Sequence, residues 1–179
     1  SHGVMTSDMA GRFNWPESIY WDWCHTICAS GGVAQYECNA LIYRIRALSD
    51  DPDAMLAKLD KFKRGISFPT REPSAREWQF EDRFVAKPSA HVRAFASECM
   101  QMVVVLGLFC QIVLVPNGQL PREVESFLLL GRILYLLRSG DKVLPRLSLL
   151  NDLVVKHHDM FVDLYPESSK PKTHWLLHI

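Results

Sequence analysis

MQMVVVLGLFCQIVLV, residues 100–115, is apolar enough to raise the question of a membrane span. It runs for only sixteen residues, contains Gln101 and Gln111, and stops at Pro116. A spanning helix needs about 20 apolar residues, so this run predicts a buried core helix and no membrane partner is expected. Pro88-Ser89 opens that helix, which is predicted over about residues 90–115. VPNGQLP then forms a tight turn on its Asn-Gly pair. Two more apolar-faced helices are predicted at about 121–138 and 143–165, divided by Ser139-Gly140-Asp141, with Pro145 in the first turn of the second. Short connections make neighbouring helices antiparallel, so a bundle core is expected over about residues 89–165.

The upstream half is also helical. In VAQYECNALIYRIRALS the apolar positions Val33, Tyr36, Ala40, Leu41, Ile45 and Leu48 recur at helical spacing, with Arg44 and Arg46 turned to solvent. Ser49 or Asp50 is placed to cap a second helix, DPDAMLAKLDKF. RGISFPTREPS reads as a loop, and a short helix capped by Ser74 is expected around AREWQFEDRF. Residues 18–23 read as a short buried strand or extended segment, Gly31-Gly32 as a bend or close backbone approach, and THWLLHI as a final short element after the loop ESSKPK. The fold class is therefore mainly α, a helical bundle with at most a minor strand element. One domain is expected over residues 18–179, after a small, polar, frayed stretch over 1–17 that reads as an appended remnant or a cut end.

Twenty basic and twenty acidic residues cancel, so any nucleic-acid or membrane partner must meet a local patch. The five cysteines form no disulfide framework, and no signal segment is visible at the start; both features predict an intracellular setting. Cys24, His25, Cys28 and Cys38 are metal-ligand types, but no second ligand pair follows C-H-x-x-C and no zinc is expected. His174 and His178 are four apart, as in metalloprotease helices, yet Trp175 stands where the glutamate is required. His157 and His158 are expected on a helix surface or at a cap. No phosphate-loop, dinucleotide or nucleophile-elbow motif is present. KLDKFKRG offers Lys58, Lys61, Lys63 and Arg64 as candidates for DNA-backbone contact, against the plainer reading of a solvated helix end. Asp22, set between Trp21 and Trp23, suits a metal-binding carboxylate at a strand end, or a cap for the helix behind it.

WDWCH at residues 21–25, followed by a glycine bend and a long helix, resembles the D-x-[ML]-H segment of CACTA- and hAT-like DDE transposases. KPKTHWLLH at 170–178 resembles their K-P-K-x-H-x-L-x-H motif, in the same order and across a helical stretch. The resemblance implies a partial RNase H-like remnant and a nuclear location. It makes Asp22 the second catalytic carboxylate, a Mg²⁺ ligand with His25 near it, and makes DNA the partner. Cys24 replaces the usual methionine or leucine. Nothing before Ser18 reads as the strand bearing the first carboxylate, and the last acid would lie beyond Ile179. A fragment or degenerate copy, not expected to cut DNA alone, is the reading that follows. The alternative is a non-enzymatic interaction module, binding a protein partner or a second copy through the apolar helix face around Met100, Met102 and Val103–Val105.

Overall fold

The computed structural model describes residues 23–29, 31–68 and 77–169, leaving aside the side chains of His25 and Asp141. Among these residues there is no strand, and the fold is mainly α. Helix α1 (Trp23–Cys28) bends at Gly31-Gly32 into α2 (Val33–Arg46). There follow α3 (Pro52–Arg64), the single turn α4 (Phe80–Arg83), α5 (Ala96–Phe109), α6 (Pro121–Leu137) and α7 (Leu147–Leu164). A π-helical turn (Cys110–Leu114) and a 3-10 turn (Val115–Asn117) prolong α5, and 3-10 turns Gly140–Arg146 and Pro166–Ser168 flank α7.

Helix α2 is the hub: α1, α3, α5, α6 and the turn Pro166–Ser168 all pack on it. Most of its residues are buried, including Gln35, Glu37 and Asn39. The most extensive helix pair is α6 with α7, and α5 packs on α6. The hydrophobic core is one cluster reaching from Ile27 to Tyr165, so it takes in α1–α3 and does not begin near residue 89. The stretch Ala96–Asn117 has the length and apolarity to cross a membrane, but half of its most apolar window is buried inside the fold. Met102, Val105, Leu106, Phe109 and Cys110 face the core, as expected of a core helix.

Several predicted boundaries move, each for a local reason. Trp23 opens a helix and does not close a strand; residues 18–22 lie outside the described residues. Helix α3 is capped by Asp51, one residue beyond the expected pair, whose carboxylate accepts from the N–H groups of Asp53 and Ala54 at 3.1 and 3.0 Å. Helix α5 begins at Ala96 and not near residue 90, because residues 84–95 run irregularly along α2. There the Val92 N–H donates to Gln35 O at 3.1 Å, and Glu98 accepts from the Phe95 N–H at 3.1 Å to finish the helix start. Pro116 has no N–H to give to the carbonyl four residues back, and the helix widens into a π-turn ahead of it. Gly118 (φ 61°) then reverses the chain, as the Asn-Gly pair predicts. Pro145 lies inside the 3-10 segment, which delays α7 to Leu147.

Two glycines give opposite expectations. A Cβ on Gly32 would overlap the backbone carbonyls of Ile27 and Thr26, whereas one on Gly107 would meet nothing within 4 Å. Gly32→Ala is expected to destabilise the fold by about 3 kcal/mol, and Gly107→Ala to stabilise it by about 1 kcal/mol through helix propensity. Urea-unfolding midpoints of the two variants check both signs.

Candidate functional site

Asp22, His174 and His178 lie outside the described residues, and His25 is placed only by its backbone, in α1. The cysteines behind His25 belong to the core. Cys28, Cys38 and Cys99 are fully buried where α1, α2 and α5 meet. A hydrogen bond with Cys99, followed by burial, pushes the Cys28 thiol far up. For Cys99 the bond with Cys28 acts downward, but its hydrogen bond with Cys38 and burial carry it well above the usual value. Both thiols are protonated at neutral pH, the form in which cysteine behaves as a small core residue. Cys24, half-buried, points its Sγ to Met100 Sδ at 3.8 Å.

The basic run divides. Lys58, Lys61 and Arg64 are exposed along α3, three residues apart, and none of them is ion-paired among the described residues. Lys63 is not available to DNA: it is 3% exposed. Its ammonium donates to the Trp78 carbonyl, lies over the Trp78 ring at 3.9 Å from the centroid, and is 3.8 Å from Asp60. Asp60 in turn accepts from the Phe80 N–H at 3.1 Å, and Trp78 Nε1 donates to Gln101 Oε1 at 2.9 Å. Lys63 and Asp60 therefore fasten residues 78–80 onto α3, and Gln101 fastens Trp78 to α5. Burial is the leading influence on both, lowering the lysine and raising the aspartate against their ordinary values.

A second polar cluster escapes sequence reasoning. Ser126 Oγ on α6 donates to Glu37 Oε1 on α2 at 2.6 Å, and His157 Nε2 on α7 meets Glu37 Oε2 at 2.7 Å. All three residues are fully buried, so His157 is neither a surface nor a capping histidine. The order of groups decides the chemistry. A serine nucleophile needs an imidazole against its hydroxyl, with the acid beyond it. Here the carboxylate stands between serine and histidine, which makes the cluster a three-helix clasp and not a nucleophile–base pair. His157 also begins a ring stripe, with Phe161 at 6.0 Å and Tyr165 a further 5.5 Å along. Its signal lies in the sequence: His157 falls in register with the buried positions Leu150, Leu153, Val154 and Phe161.

Glu37→Leu leaves His157 and Ser126 buried without their acceptor and is expected to cost about 3–5 kcal/mol. The double variant Glu37→Leu/His157→Leu should recover much of that loss in urea unfolding; a single variant as stable as the parent would remove the clasp's importance. The pH dependence has a definite sign. Burial, then the Glu37 charge, pushes Cys110 from 9.0 up to about 12, and the same two causes raise Tyr165. The unfolded chain releases these protons before the folded one does. Their contribution is therefore fully present below pH 9 and is lost as pH rises from 9 through about 12. Thermal midpoints should fall over that window, and less steeply in Cys110→Val.

Comparison of the chain with known protein families, with curated proteins and with solved structures finds no match.

Proposed function

We propose that this chain is the helical body of a DDE transposase-like protein, a fragment or degenerate copy that handles DNA without cutting it alone. The observation that carries the reading is the placement of the two ends of the described body. Helix α1, immediately behind Asp22, packs on α2. The last 3-10 turn, just ahead of the KPKTHWLLH motif, packs on the same helix, where Tyr165 and Glu167 line a small hollow with Ala40 and Tyr43. A helical insertion whose two ends pack on one helix can be carried by a host domain without distorting it. In the sequence, the two transposase-like motifs adjoin those ends.

The parent activity implied by the resemblance is Mg²⁺-dependent cleavage and strand transfer. Among the described residues no group of three His, Cys, Asp or Glu could hold a metal ion. They do not by themselves fit Mg²⁺, and the reading assigns them no step of cleavage. Their part is contact with DNA, through the exposed cations Lys58, Lys61 and Arg64, which have no ion-pair partner among the described residues.

Binding of the purified chain to a fluorescent DNA duplex, followed by anisotropy, tests this. Three phosphate contacts predict that log K falls against log salt with a slope of about −3, and each substitution Lys58→Ala, Lys61→Ala or Arg64→Ala should reduce that slope by about 1. No Mg²⁺-dependent nicking is expected from the chain alone. Absence of salt-dependent binding, or a slope indifferent to all three substitutions, sinks the DNA role.

A further inference from the structure

Between α5 and α6 the fold leaves an open trough of about 650 Å³. Gly107 and Gly131 hollow it out, since a Cβ on either would meet no atom within 4 Å. Its walls are apolar, and two of them stand far into solvent: Val104 is 47% exposed and Tyr135 is 69% exposed. The expected apolar face around residues 100–105 is thus narrower than its sequence implies, because Met102, Val103 and Val105 are buried, Met100 is half-buried and Val104 is exposed.

The charge on the trough has one sign. Arg132 and Arg138 line it, and among the described residues no aspartate or glutamate does. Elsewhere on the surface Arg46, Arg122 and Lys156 each have a carboxylate partner. Among the described residues Arg132 and Arg138 have none. About 9 Å of helix separates the two arginines, and the trough extends along α5 from Met100 to Gln111, about 16 Å or three helical turns.

We propose that this trough is the docking site for an amphipathic helix of a partner protein, one that carries carboxylates along the edge of its apolar face. A groove between two packed helices is the seat that a third helix takes in a bundle. Apolar side chains of the partner, recurring every three to four residues, would fill the hollow over the glycines. Its carboxylates would reach Arg132 and Arg138. A bilayer surface fits less well, because membrane-binding faces project apolar side chains and this one is concave. A nucleic-acid backbone would match the arginines but leave the apolar floor uncovered. The proposal does not depend on the DNA reading, which uses Lys58, Lys61 and Arg64 on another helix.

The test is selection of phage-displayed helical peptides from a random amphipathic library against the purified full chain. Enriched peptides are expected to combine an apolar stripe with flanking Asp or Glu. Their binding should weaken at least about tenfold, one factor of ten in Kd, in Gly131→Leu and in Arg132→Glu/Arg138→Glu. Gly131→Leu fills the trough while replacing glycine inside a helix, so its thermal midpoint should hold or rise; that separates blocked docking from failed folding, and Gly107→Leu repeats the block from the opposite wall. The proposal is overturned if no peptide is enriched, if the enriched peptides lack acidic residues, or if both glycine substitutions leave binding intact. It is equally overturned if sedimentation shows self-association that Gly131→Leu abolishes, which assigns the trough to a second copy. Binding to phosphatidylserine-containing vesicles that the same substitution abolishes assigns it to lipid and overturns it as well.

Discussion

A polar side chain moved from water into an apolar interior without a partner costs roughly 2–7 kcal/mol. Helix α2 buries three of them, Gln35, Glu37 and Asn39, each at 2% exposure or less. The neighbouring structure is organised to meet them. Gln35 accepts from the Gly31 N–H at 2.8 Å and donates to the Ala94 carbonyl at 2.6 Å, joining the α1–α2 bend to the approach to α5. Asn39 donates to the carbonyls of Val85 and Lys87 and accepts from the Val85 N–H at 2.9 Å, supplying the irregular segment with backbone partners it lacks as a non-helix. Glu37 ties α6 and α7 to the same helix. Apolar contact with α2 would allow each of these elements to slide; the hydrogen bonds set one register for all of them.

That arrangement has a functional consequence. Because α2 receives both α1 and the turn after α7, the ends of the described body come to the same helix. The residues that fix this geometry are not chemical actors. Glu37, Ser126 and His157 are sealed from solvent, and Lys63 and Asp60 spend their charges on Trp78 and Phe80. The surfaces open to a ligand are elsewhere: the exposed cations of α3 and the trough between α5 and α6. Their chemistries differ, one a row of charges and the other an apolar hollow with two arginines, and so they fit different partners.

Helix identity was legible wherever apolar residues recur at helical spacing and a breaker ends the run. Pro121 and the Ser139-Gly140 pair bracket α6 within a residue of the expected limits, and the Asn117-Gly118 turn stands where its dipeptide indicates. The start of α5 was not legible. Residues 90–95 have no breaker, and they leave the helix because Gln35, more than fifty residues away, holds Val92 and Ala94 to α2. Lys63 shows the same limit at the site. In sequence it is one of four cations within seven residues, and only the approach of Trp78 turns it inward. Glu37 and His157 each fall in register with the buried positions of their helices, but their pairing joins residues 120 positions apart and no local pattern announces it.

Sequence alone determined the class of fold, since local hydrophobic period, proline and glycine act within a few residues and need no partner to be read. Length did not settle the character of residues 100–115, since the helical stretch runs over Ala96–Asn117 and is long enough to span a membrane; the burial of Met102, Val105, Leu106, Phe109 and Cys110 makes its inner side part of the core. Tertiary structure decided which polar groups are buried, where α5 begins, and which cations stay in water. These outcomes depend on pairs of residues far apart in the chain, and burial is a property of the neighbours a side chain acquires, which no short window of residues contains.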